Sequence, residues 1–173
     1  MTCESNMRDR FAYATLEQDL DVAVDHVRGQ YEINRSMSER LDARGDTQRQ
    51  TFDPDVVALA YTIHNLYNAI ENYFLRIAKF FENNLEPGTW HRDLVNRMAT
   101  EIEDLRPALL EREALPDFHE LRAFRHVFRS LYDTSLDAEK VALANKRVEP
   151  AFKSFVAAHE RFVEKLAAIR DAL

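Results

Sequence analysis

The chain has little of what most folds use to break, cross-link or cross a membrane. Cysteine occurs once, at Cys3, so no disulfide forms within the chain, as expected of a reducing compartment. Nothing near Cys3 in sequence would depress its pKa and make it reactive. Glycine occurs three times and proline five times in 173 residues, which predicts long helices separated by brief breaks. No apolar run approaches the ~20 residues of a membrane-spanning helix, so no membrane partner is expected. The first residues, with Glu4 and Asp9 among them, lack the apolar centre of a signal peptide; the expected address is the cytoplasm. Period-two alternation, a Gly-rich phosphate loop, internal repeats and low-complexity tracts are all missing, and no His, Cys, Asp and Glu stand at metal-ligand spacing. No metal and no cofactor is expected.

What remains is 46% hydrophobic and 31% charged, the balance of one soluble globular domain spanning residues 1–173. The net charge of −7 excludes a broad nucleic-acid-coating surface but not a local basic cleft. Apolar spacing of three and four predicts about five helices in an antiparallel bundle, an all-α fold. The first covers roughly residues 9 to 43, with Asn34 and Ser38 interrupting its stripe so that the last turns are solvated or meet a partner, and Gly45 as C-terminal cap. The second opens at the cap Asp53 and Pro54. It gathers Val56, Leu59, Ile63, Leu66, Ile70, Phe74 and Ile77 within about 120° of arc, and Asn83-Asn84 and Pro87-Gly88 end it. A shorter helix from Thr89 carries Trp90, Leu94, Val95, Met98 and Ile102. Pro107 and Pro116 bracket an irregular piece, Asp117 and Glu120 form a capping box for a fourth helix, and Asp137 caps a fifth that Pro150 kinks or divides.

The fourth helix is the most informative. Leu121, Phe124, Val127, Phe128 and Leu131 fall within about 120°, while Arg122, Arg125, His126 and Arg129 fill an arc of about 100° almost opposite. Tyr132 lies on the seam. Such a stripe is either solvated or paired with some of the 30 Asp and Glu residues, or it holds an anion. Crowded cations repel by a few tenths of a kcal/mol per close pair, and guanidinium forks suit phosphate. On the second helix His64, Asn68 and Glu71 stack at i, i+4 and i+7. They form either a semi-buried polar network or a flank facing the cationic helix, with Glu71 orienting an arginine. His159 lies on an apolar stripe as a core or interface histidine, and His91 beside Trp90 shapes a helix start.

Arg125, four residues, position 130, one residue and Tyr132 reproduce the spacing of the HEPN superfamily motif, which reads Arg, four residues, His, one residue, Tyr. Together with Tyr61-Thr-Ile-His64-Asn-Leu-Tyr67-Asn-Ala-Ile-Glu71 and Trp90-His91-Arg92-Asp93-Leu94, the chain resembles the HepT-like branch of that superfamily over about residues 53 to 170. The resemblance implies an all-helical homodimer whose paired motifs face one cleft, and a toxin that acts as a metal-independent ribonuclease on RNA. It further implies a small MNT-type nucleotidyltransferase antitoxin that adenylylates the motif tyrosine, here Tyr132. The chain departs from the motif where Ser130 replaces the histidine, and serine does not shuttle protons near neutral pH without a base. His126, one turn earlier and about 40° around the helix, is the substitute acid/base, with Arg122, Arg125 and Arg129 holding phosphate. The alternative is a catalytically degenerate module that binds a nucleotide or a nucleotidyltransferase without cutting RNA.

Overall fold

The computed structural model describes residues 3–44, 53–82, 90–103, 105–130 and 136–173. Five α-helices follow in order: α1 Cys3–Arg44, α2 Pro54–Phe81, α3 Trp90–Met98, α4 Leu115–Arg129 and α5 Ala138–Ala172, with a 3-10 turn at Arg112–Ala114 before α4. No strand occurs among the described residues; one isolated bridge joins Ile102 to Arg106.

The core forms around α2, whose apolar positions face three neighbours. Leu59, Ile63, Leu66, Tyr67, Ile70, Tyr73, Phe74 and Ile77 are all buried. Phe74 is the meeting point: its ring lies 5.7 Å from Phe118 of α4 and 6.2 Å from Phe155 of α5. Helix directions follow from cross-contacts. Along α1, Glu17 meets Arg170 at 2.6 Å, Asp21 meets His159 at 3.4 Å and Asn34 meets Asn145 at 3.1 Å, so α1 and α5 are antiparallel. Tyr13 against Phe80 and Asn34 against Thr62 make α1 and α2 antiparallel too. α4 runs against α2, with Phe118 beside Phe74 and Arg125 beside Asn68.

The cap at Asp53 forms as expected, its side chain accepting from the Asp55 amide at 3.0 Å with Pro54 in the first turn. Arg44 at the end of α1 reaches both Asp53 and Asp55, tying the two helices together across their connection. Asp137 caps α5 through the Glu139 amide at 2.9 Å.

Several boundaries differ from the sequence expectation, each for a local reason. α1 begins at Cys3, six residues earlier than residue 9. Its polar Asn34 is not solvated: it is buried and donates to the Thr62 hydroxyl at 2.9 Å and to Asn145 at 3.1 Å, while Asn145 donates to Ser38. Three helices are pinned by that one amide. α3 ends at Met98, leaving Ile102 in the bridge with Arg106. Arg106 itself is buried and donates to the Arg97 and Thr100 carbonyls at 2.7 and 3.1 Å, satisfying the open end of α3. No capping box opens α4. The 3-10 turn runs directly into the helix, so Ala114 is its cap, Pro116 sits in its first turn and Asp117 instead pairs with Arg147 at 3.2 Å. Pro150 does not divide α5, which is continuous; buried Val148 and Ala151 on either side hold the backbone through the missing hydrogen bond. Gly45, Asn83-Asn84 and Pro87-Gly88 lie outside the described residues.

No helix among the described residues is long and apolar enough to cross a membrane.

Candidate active site on the fourth helix

Burial along α4 falls from its start to its end. Phe118 and Leu121 are buried, Phe124 and Phe128 half-buried, and Val127 is 53% exposed. The expected apolar arc therefore holds fully for the first half only; in the last turn Phe128 still packs on His64 of α2, while Val127 faces outward. Leu131 and Tyr132 lie outside the described residues.

Arg125 is the cation that the fold takes in. Its side chain is only 16% exposed, and its Nη2 lies 3.0 Å from Oε2 of the buried Glu71. Its Nε donates to Oδ1 of Asn68. The Asn68 Nδ2 in turn contacts His64 Nε2 at 2.8 Å. A guanidinium only donates, so the Asn68 oxygen must face Arg125 and its amide nitrogen must donate to the imidazole. That leaves His64 Nε2 unprotonated and the hydrogen on Nδ1, which is buried without a partner. The His64 ring packs 5.2 Å from Phe128. Burial lowers its pKa, and the nearby Arg125 and Arg129 lower it further. The i, i+4, i+7 row read from the sequence is thus a continuous polar chain leading from α2 into α4, with Glu71 orienting an arginine.

Tyr67 lies one turn from Glu71 and is buried; desolvation first, then the Glu71 charge, push its hydroxyl pKa up. It stays a neutral phenol beside the ion pair.

The other cations are differently placed. Arg122 is half-buried, with Nε sealed from solvent and lacking a hydrogen-bond partner. Arg129 and His126 are exposed. Among the described residues neither Arg122 nor Arg129 forms an ion pair. Ser130 ends the helix, its amide bonded to Val127 at 3.0 Å and its hydroxyl donating to the His126 carbonyl at 2.9 Å. That hydroxyl is engaged with its own helix one turn back, and no described base touches it.

His119 belongs to the same stripe and was missed. It stands at i−3 from Arg122 and i−7 from His126, within about 60° of both, so the spacing alone carries the signal. Its Nε2 lies 2.9 Å from Asn96 of α3, and burial followed by the Arg122 charge lowers its pKa. His159 is a core histidine: its Nδ1 lies 2.9 Å from the Tyr73 hydroxyl and its Nε2 3.4 Å from Asp21.

Chemically, α4 offers one arginine fixed and neutralised by Glu71, two further arginines free to meet an anion, and an exposed imidazole beside them. Among the described residues no group of three or more His, Cys, Asp or Glu is placed to hold a metal ion. Residues 58–166 match the model of a family described as HepT-like protein, a span that contains every residue of this site and leaves α1 outside. No curated protein and no solved structure matches the chain.

Proposed function

The chain belongs to the HepT-like protein family, and from that membership we propose that it is the toxin of a HEPN/MNT toxin–antitoxin pair. In this reading residues 1–173 form a single cytoplasmic domain, and two copies bring their α4 stripes together over RNA. What supports it is the state of the cations: Arg125 is anchored by Glu71 while Arg122 and Arg129 lack carboxylate partners. A groove with that surplus attracts a phosphodiester. RNA carries its own nucleophile, so no metal is required. The 2′-OH attacks the adjacent phosphorus, its proton passes to a base, and the 5′-oxygen leaves with a proton from an acid. His126 of one copy supplies the base, His126 of the second the acid, and Arg122, Arg125 and Arg129 bind the charge that develops on phosphorus. A nucleotidyltransferase of the MNT type adds AMP to Tyr132 and so blocks cleavage.

The test is RNA incubated with purified protein in excess chelator. Cleavage leaving cyclic phosphate ends is expected, with loss of about 100-fold or more in both Arg125→Ala and His126→Ala. RNA left intact from about pH 5 to pH 9 overturns the nuclease. One observation favours the degenerate alternative: Ser130, where the motif has histidine, spends its hydroxyl on the His126 carbonyl. A chain that leaves RNA whole yet gains one adenylyl group on Tyr132 from its partner and ATP is a binding module for the nucleotidyltransferase. If Tyr132 stays unmodified, the regulatory part of the proposal fails.

A further inference from the structure

Among the described residues eight large apolar side chains stand most exposed, and four of them belong to α1: Met7 at 68%, Phe11 at 75%, Val22 at 65% and Ile33 at 53%. They are not scattered. Phe11, Val22 and Ile33 are spaced by 11 residues, and so are the positions between them: Thr15, His26 and Met37, then Gln18, Gly29 and Arg40. Eleven residues are close to three full turns, so all nine positions fall within about 100° of arc. The core face of α1, with Leu16, Leu20, Val24 and Val27, lies on the other side. α1 therefore buries one stripe in the bundle and leaves a second, regular stripe on which Phe11, Val22 and Ile33 stand exposed, while Met37 at its edge packs on the core and Arg40 pairs with Asp55.

We propose that this stripe is where a second copy of the chain docks, α1 lying antiparallel against α1 with Val22 on the two-fold axis. In that register the pattern is self-complementary. Phe11 of one copy meets Ile33 of the other, Thr15 meets Gly29, Gln18 meets His26, and Val22 meets Val22. A methyl-bearing Thr15 enters the space beside Gly29, where an added Cβ would touch nothing within 4 Å. Asp19 and His26 share one flank of the stripe, so the antiparallel arrangement sets each Asp19 against the His26 of the second copy. A parallel arrangement would face each flank with the opposite flank of the second copy, so Asp19 and His26 would not meet. The same residue meeting its symmetry-related position is what a two-fold interface requires. Beside the stripe Asp19 pairs with Arg76, Asp25 with Arg28 and Glu32 with Arg35, so these flanking charges are largely balanced and offer no basic patch to an anionic lipid surface or a nucleic acid.

From Phe11 to Ile33 the contact runs about 33 Å. With three large apolar groups per copy along that length it lies at the small end of stable interfaces, and weak, reversible association is expected. α1 and α4 both pack on α2 and α5, and among the described residues they do not touch one another. This contact therefore leaves the arginine stripe of each copy open and is separate from any pairing through α4.

Cysteine cross-linking tests it in the full chain, with Cys3→Ser as background. Val22→Cys should oxidise to a covalent dimer, and a mixture of Phe11→Cys and Ile33→Cys chains should cross-link, while Phe11→Cys alone should link no more than the exposed control Leu143→Cys. Val22→Glu should weaken self-association at least tenfold by sedimentation, with an unchanged helical spectrum. Val22→Cys linking no better than Leu143→Cys overturns the proposal, as does Phe11→Cys linking to itself. So does a Val22→Glu chain that associates as wild type or is rescued by a heterologous helical partner alone. Arg125→Ala, which disables the proposed nuclease, should leave every one of these readouts in place.

Discussion

Arg125 and Glu71 set the terms at the residue scale. A carboxylate 4% exposed has lost most of its water, and a guanidinium 3.0 Å away stands in its place. Removing one partner is therefore worse than never having had the pair. Glu71→Ala should lower unfolding stability by about 3 kcal/mol, read from the urea midpoint, because Arg125 is left in a site that is mostly closed. Glu71→Gln keeps the shape and one hydrogen-bond acceptor, and should cost about 1–2 kcal/mol. The same change removes the charge that offsets Arg125. Glu71→Gln should thus bind inorganic phosphate or a short RNA more tightly than wild type, while Arg125→Ala binds it more weakly. Equal affinity in wild type and Glu71→Gln would show that α4 holds anions without Arg125. Asn68 connects this pair to His64, and Asn68→Asp would set a second carboxylate against Arg125 and leave the His64 Nε2 facing an acceptor instead of a donor. Anion affinity should then fall.

At the scale of the element, what could be read in advance was what depends on a single helix. The 3.6-residue spacing of α2, its Asp53-Pro54 start and the Asp137 cap of α5 are local statements, and the fold honours them. The same is true of the cationic arc of α4 and of the His64, Asn68 and Glu71 row. What was not legible depended on a neighbour. The Asp117 and Glu120 pair has the spacing of a capping box, but a preceding 3-10 turn supplies the first carbonyls and lets the helix start at Leu115. Asn34 looks like an interruption until Thr62 and Asn145 are brought beside it. Buried Arg106 was invisible because the groups it donates to are carbonyls, which carry no sequence signature, and because Glu82, the carboxylate 3.5 Å from it, lies far earlier in the chain at the end of α2. Pro150 shows the same contest of scales: its ring costs a hydrogen bond, and packing of Val148 and Ala151 keeps α5 whole regardless. Because the position is exposed and the backbone already helical, Pro150→Ala should raise stability by about 1–3 kcal/mol, seen as a higher thermal midpoint. An unchanged or lower midpoint would mean that α5 bends at Pro150 to fit its neighbours and that straightening it disturbs them.

For the whole molecule, pH is the variable that the buried histidines report. His64 on α2, His119 on α4 and His159 on α5 each have a pKa lowered chiefly by burial, and each joins two helices: His64 lies against Phe128, His119 against Asn96, His159 against Tyr73. The unfolded chain binds protons at these sites with ordinary affinity, near pH 6.5, and the folded chain binds them less well. Where the unfolded state holds more protons, stability rises with pH. Above about pH 7.5 all three are neutral in both states and contribute no slope. As pH falls through 6.5 the unfolded form gains protons first, and stability is lost progressively until the folded pKa values are reached. For His64 protonation of the folded chain also ends the donation from Asn68, so the orientation of Arg125 loosens at the acid end of that range, where pH reaches the lowered pKa of the folded form. Two measurements separate the parts. Unfolding at pH 7.5, 6.5 and 5.5 should show falling midpoints, and His159→Phe should flatten that slope while leaving the α4 stripe alone. His64→Gln, whose amide can still accept from Asn68, should remove the acid-side loss of anion affinity without changing its value at pH 7.5. If the acid-side loss persists in His64→Gln, the relevant proton sits on His126 or His119, and the polar chain from α2 is a scaffold with no part in the pH response of the groove.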